Sequence, residues 1–206
     1  MTDRASQPSA PNAVAADRLI ACMLGGTAPG ARTELHDVAL AVGTTLEGVY
    51  EQLLDAWFGE PRGLHVDAWC VLDRVAGYRV TLSHALPTNG LHLYFVNLGG
   101  YRPGAFGESH ASWFFGAADK ATAKRRAKSV LLPHHDVVHK DHLYAVDECL
   151  HVARVAGWHV HLDADPAALD PPVTSGYLPL PARTIDAWIA ARAESRRNMA
   201  LSGQPK

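Results

Sequence analysis

Leu24-Gly25-Gly26-Thr27-Ala28-Pro29-Gly30-Ala31-Arg32-Thr33-Glu34-Leu35-His36 returns 74 residues later as Leu98-Gly99-Gly100-Tyr101-Arg102-Pro103-Gly104-Ala105-Phe106-Gly107-Glu108-Ser109-His110. Eight of these 13 positions are identical: the Leu, both leading glycines, Pro, Gly, Ala, Glu and His. Ordinary residue usage gives about one chance match in such a window. A second pair of segments agrees further on. Arg74-Val75-Ala76-Gly77-Tyr78-Arg79-Val80-Thr81-Leu82 returns as Arg154-Val155-Ala156-Gly157-Trp158-His159-Val160-His161-Leu162, now 80 residues on, so the second copy carries six extra residues between its matching ends. A fixed internal period of this kind is the mark of a duplicated module.

Working outward from the repeat, an apolar run precedes each Gly-Gly (Leu19–Met23 and Leu93–Asn97) and reads as a first strand. His36–Val42 and Ala111–Phe115 read as second strands. Leu46, Val49, Tyr50, Leu53, Leu54 and Trp57 then recur on one face of a helix, with Thr44 and Glu47 at capping-box spacing and Gly59 as its stop. The matching helix, Asp119 to Leu132, ends at Pro133. Third strands (Val66–Leu72, Val146–Val152) and, after a turn, fourth strands (Tyr78–Leu82, Trp158–Leu162) complete each copy. The expected fold is α+β: two tandem ββαββ repeats packed as one pseudo-symmetric unit, with a C-terminal helix. Residues 1–17 read as a disordered tail, 18–83 as the first repeat, 84–90 as a linker and 91–162 as the second repeat. Residues 163–206 read as a Pro-rich arm without a strand, followed by a helix capped by Thr184 and docked through Ile185, Trp188 and Ile189.

Composition narrows the classes. The 206 residues carry a formal charge of −2, and no apolar run reaches the roughly 18 residues a membrane helix needs. Three cysteines are too few and too scattered for a disulfide framework, which fits a reducing, cytoplasmic setting and a bacterial-type protein. No membrane partner is expected, and the oligomeric state stays open.

The doubled Leu-Gly-Gly-x-x-Pro-Gly-x-x-x-Glu-x-His pattern resembles a bacterial family known as domain of unknown function 1543. Trp57-Phe58-Gly59, Gly63-Leu64-His65-Val66-Asp67-Ala68-Trp69, Val75-Ala76-Gly77-Tyr78, Asn97-Leu98-Gly99-Gly100-Tyr101 and Asp141-His142-Leu143-Tyr144-Ala145-Val146-Asp147 strengthen the resemblance. It implies a small cytoplasmic bacterial protein, often with two copies of the module, and brings no catalytic assignment.

Three constellations could carry chemistry. The glycine segments Gly25, Gly26, Gly30 and Gly99, Gly100, Gly104 have phosphate-loop spacing without the Lys-Ser/Thr that follows in such loops. They could present backbone N–H groups to an anion, or serve as turns needing positive φ. Glu34 with His36, and Glu108 with His110, put a carboxylate and an imidazole on one side of an extended segment. Such a pair can chelate a divalent metal such as zinc, manganese or iron, or form an acid–base dyad, and two pairs could converge. Asp67 and Asp147 hold matching places at the start of the third strands, as site acids or, preferably, turn caps. His134, His135, His139, His142 and His151 read as loop histidines, since no paired-Cys spacing accompanies them.

Lys120, Lys124 and Lys128 form a helix stripe that could meet phosphates beside Trp113, Phe114 and Phe115, although a solvated face is the plainer account and nucleic acid an improbable partner. Cys22 and Cys70 sit in apolar runs and read as inert core, and no Gly-x-Ser-x-Gly elbow is present. The leading expectation is a module binding a small anionic molecule or a divalent metal. The alternatives are a metal-dependent hydrolase-type enzyme using the paired Glu-x-His motifs, and an RNA- or protein-interaction domain using the basic second helix.

Overall fold

The structure, a computed structural model, describes residues 16–101, 104, 106–131 and 144–202. The elements run β1 (Arg18–Gly26), β2 (Leu35–Gly43), a 3-10 turn (Glu47–Val49), α1 (Tyr50–Ala56), β3 (His65–Val71), β4 (Arg74–Val75), β5 (Tyr78–Ser83), β6 (His92–Tyr101), β7 (Glu108–Ala117), α2 (Lys120–Leu131), β8 (Tyr144–His151), β9 (Arg154–Val155), β10 (Trp158–Ala164), β11 (Thr174–Pro179) and α3 (Ala182–Ser202). The class is α+β, mostly strand, with a C-terminal helix. Of the expected tail, residues 1–15 lie outside the described residues, as do His134, His135, His139 and His142.

Among the described residues three antiparallel sheets form. One has the order β11-β3-β1-β2, another β7-β6-β8, and the third β4-β5-β10-β9. β1 and β6 are central and buried on both faces, which is why their sequences are near-continuous apolar runs. Leu19, Ala21 and Cys70 of the first sheet meet Leu93, Phe95 and Phe114 of the second in one core. On the far side of the first sheet, Ile20, Cys22 and Leu24 pack against Leu53 and Leu54 of α1 and Ile185 of α3. On the far side of the second, Tyr94, Val96 and Leu98 pack on Ala123 and Ala127 of α2. The small alanines let that helix approach closely.

The third sheet is the seam. β5, which also pairs with β4, and β10, which also pairs with β9, pair antiparallel with each other, Val80 opposite Leu162 and Leu82 opposite Val160. Thr81 faces His161, so residues that correspond in the sequence repeat stand directly opposite one another. Registers elsewhere also correspond. Gly25 lies between His36 and His65, and Gly99 between His110 and Ala145. A bulge interrupts β1–β3 at Met23/Leu24 and β6–β8 at Asn97/Leu98, 74 positions later.

Several expectations need correction. Gly25, Gly99 and Gly100 are strand residues paired within ladders on both sides, and Gly26 is a strand residue paired with Leu35 of β2, none of them loop; of these six glycines only Gly30 (φ +84°) and Gly104 (φ +79°) have left-handed backbone. The strands extend through the glycines because flanking strands take up their backbone groups. The first helix starts later than its apolar periodicity suggests. A 3-10 turn precedes it, and Thr45 Oγ1, in place of Thr44, accepts from Gly48 N–H at 3.1 Å. The Pro-rich arm contains β11, an edge strand exposed along its length; without a buried face it has no apolar alternation to read. Helix α3 begins at Ala182, after Pro181, whose carbonyl accepts from Thr184 N–H at 2.9 Å. Thr184 therefore does not cap it.

Candidate functional site

The site grows from the row His36–Gly25–His65 across β2, β1 and β3. Gly25 leaves the space that the His65 imidazole and the Asp67 carboxylate occupy. The β3 bulge then adds Asp67, the residue passed over between Val66 and Ala68 in the pairing with β1. Glu34 arrives from the segment just before β2.

The four side chains close a ring of contacts. His36 Nε2 lies 3.1 Å from Asp67 Oδ2 and 3.8 Å from Glu34 Oε2. His65 Nε2 lies 3.1 Å from Glu34 Oε1 and 3.3 Å from Asp67 Oδ1. His65 is 2% exposed, and the Tyr177 ring of β11 covers it with centroids 4.5 Å apart. Its other nitrogen, Nδ1, donates to the Gly63 carbonyl at 3.0 Å. A carbonyl only accepts, so Nδ1 carries hydrogen, and Nε2 then points at two carboxylates. A neutral ring would aim a lone pair there; a proton or another cation at Nε2 satisfies the arrangement. Asp67, read from the sequence as a site acid or, preferably, a turn cap, has its carboxylate against both imidazoles.

The second half is built differently. His110 Nε2 lies 3.9 Å from Glu108 Oε2, and Asn97 Nδ2 donates to His110 Nδ1 at 3.3 Å. At the place of His65 stands Ala145. Asp147 takes the bulge position of β8, its side chain outside the described residues.

The two halves meet in a cleft of about 780 Å³ between the facing sheets. Glu34, His36 and Asp37 come from the first half, and Asn97, His110 and Glu148 from the second, over a floor that includes Phe95. The two histidines thus share one cavity, while Glu108 is not among its lining residues. The four-residue convergence of both Glu-x-His pairs is replaced by a quartet in the first half, with His110 on the same cleft. Among the described residues no group of three or more His, Cys, Asp and Glu side chains stands ready to hold a metal ion.

The lysine stripe lies elsewhere. Lys120 and Lys128 are exposed and Lys124 half-buried, but Phe114 and Phe115 are buried in separate cores and offer no stacking surface. Neighbouring Arg126 is committed to structure, donating to the Gly116 carbonyl at 2.5 Å and sitting 5.4 Å over the Tyr78 ring.

Sequence reasoning passed over His65, Asn97, Glu148 and Tyr177. The usable signal was His65-Val66-Asp67, an imidazole and a carboxylate two apart at a strand start. Comparing copies hid it, because that comparison selects what both halves share, and Ala145 and Ala68 are the counterparts of His65 and Glu148.

A family model described as Domain of Unknown Function (DUF1543) matches residues 31–82, the stretch holding Glu34, His36, His65 and Asp67. Among solved structures the chain is similar to the crystal structure of a protein Il1583 from Idiomarina loihiensis. That similarity has 34% sequence identity and a TM-score of 0.61, covering 81% of this chain and 99% of that one. No curated protein matches the sequence.

Proposed function

The chain belongs to the family described as Domain of Unknown Function (DUF1543), and from that premise, which brings no activity with it, we propose a binding module that holds a cationic group of a small molecule in the cleft between its sheets. One observation carries this reading: Glu34, Asp37 and Glu148 line the cleft without a lysine or arginine among its described lining residues. Carboxylates with low-dielectric walls concentrate cations and repel anions. The anionic ligand expected from the glycine segments loses support, because Gly25, Gly99 and Gly100 lie in ladders on both sides and Gly26 in one.

A divalent metal is the second reading, favoured by the Nδ1–H of His65 on a backbone carbonyl, the way ligating histidines are commonly oriented. Titration of the purified protein with ethylamine and, separately, with zinc or manganese chloride tests both. Ethylamine is expected to bind and to perturb the ring resonances of His36 and His110, with affinity falling about tenfold in Glu34→Gln and again in Glu148→Gln. Binding of inorganic phosphate in its place, or ethylamine binding indifferent to both substitutions, would end the cation reading. Stoichiometric metal retained after dialysis, and lost in His65→Ala, would move the assignment to the metal.

The same proposal includes an origin by tandem duplication, with the two copies as pseudo-symmetric mates. The shared 74-residue register of the bulges and the facing of Thr81 and His161 support it. A bacterial, cytoplasmic setting is supported by the composition and by three buried, unpaired thiols. No helix among the described residues is long and apolar enough to cross a membrane.

A further inference from the structure

Next to the polar cleft lies a second cavity, of about 220 Å³, between the same two sheets. A difference between the halves makes the room. Across β6 and β8 the second half sets Phe95 opposite Leu150, and at the matching places of β1 and β3 the first half sets Ala21 opposite Cys70. Ala68 adds a third small residue to the wall, which Phe95 and Phe114 help to complete. No charged residue is among its described lining residues, and Ser112 supplies the one hydroxyl. Met23, Val38, Phe95 and Ser112 border both spaces, so cavity and cleft adjoin. On the cleft side the apolar surface continues through Leu35 and Leu150, the latter 46% exposed. Protein interiors pack to crystal-like density, and spaces larger than a water molecule are few in a domain. A lining of this kind takes apolar surface out of water and offers little to a charged or hydrogen-bonding group.

The geometry points to an amphiphilic ligand: a primary amine whose ammonium group lies among Glu34, Asp37 and Glu148 and whose apolar arm enters the cavity at Ala21, Ala68 and Cys70. The arm has room for about six carbons or slightly more, since an apolar cavity of about 150 Å³ accepts the six carbons of benzene. This inference rests on the cation reading of the cleft, and the experiment keeps the two apart. Ethylamine, butylamine, hexylamine and octylamine are titrated into the full chain by calorimetry, with uncharged 1-hexanol alongside.

Affinity is expected to rise about threefold for each methylene from ethylamine to hexylamine, close to the effect of burying one. It should then level off at octylamine, whose end finds the cavity full. Ala68→Leu, which fills the cavity from β3, should leave ethylamine as it was and flatten the series beyond butylamine. Should that variant fail to bind ethylamine, Ala21→Val, which narrows the cavity from β1, takes its place. Hexylamine no tighter than ethylamine overturns the subsite and leaves the cation reading standing. A length series unchanged by filling the cavity overturns it too, because the arm would then lie on the cleft floor. If ethylamine shows no binding but 1-hexanol binds and loses affinity in Ala68→Leu, the subsite stands and the cation reading falls.

Discussion

A methyl group at Gly25 would stand 2.3 Å from Nε2 of His65 and 2.8 Å from Oδ2 of Asp67, far inside contact distance. Gly25→Ala is expected to push His65 out of its place and cost about 1–3 kcal/mol, as overpacking does. Urea denaturation reads the loss, and the same variant should weaken ethylamine binding. Gly26 has another reason to lack a side chain, because a Cβ there would come 2.9 Å from Cζ2 of Trp57. The doubled Gly-Gly was conspicuous in the sequence, but its meaning was not: in the first pair, Gly25 and Gly26 are each fixed by a neighbour 31 or more positions away that local spacing does not announce. The cysteines were easier, since apolar neighbours on both sides announce burial. Burial, with Cys70 alongside, pushes the Cys22 thiol up to about 12, and burial, with Asp73 and Asp170, pushes Cys70 up to about 11. Cys149 is raised chiefly by burial as well. A disulfide reagent at pH 8 is expected to modify none of the three in the folded protein and all three in guanidinium; rapid modification of Cys22 before unfolding would contradict the packing.

At the scale of elements, α3 shows what holds a helix that has little apolar surface of its own. Ile185 is buried, and Asp55 of α1 accepts from Trp188 Nε1–H at 2.7 Å and pairs with Arg192. Burial alone would raise the Asp55 carboxyl, but the hydrogen bonds from Trp188 and Arg192, with the Arg192 charge, outweigh it and hold the group below the ordinary carboxylate range. A lowered folded-state value means the contribution is present above an ordinary pKa of about 3.9 and disappears as pH falls through and below it. Trp188 fluorescence should therefore report loosening of α3 on acidification, and Asp55→Asn should lose about 1 kcal/mol at pH 7, a modest figure because the pair is half exposed. If Asp55→Asn shows the same acid response as the parent chain, the contact is not what titrates. Docking of α3 was legible from Trp188 and Ile185. The strand β11 was not, because an edge strand whose residues are all exposed leaves no periodic trace.

At the scale of the molecule, the elements within each half were legible, and their final pairing was not. Apolar alternation announced β5 and β10 as strands, yet nothing local distinguishes pairing with β3 from pairing across the repeat. The choice is made by the core, where Val80, Leu162, Leu19 and Phe95 share one cluster. Because that cluster takes residues from both halves, Leu162→Ala should cost roughly 2–5 kcal/mol and lower a single unfolding transition seen alike by fluorescence and by circular dichroism. Two separated transitions would mean the halves stand independently.

The seam between β5 and β10 also sets an order in time. Val80 leaves the ribosome 82 residues ahead of Leu162, the partner opposite it, so at roughly 5–20 residues per second β5 waits several seconds for its mate. Through that interval Val80 faces water with its edge open, and chaperone capture of stalled nascent chains should peak there and vanish once residue 164 has emerged.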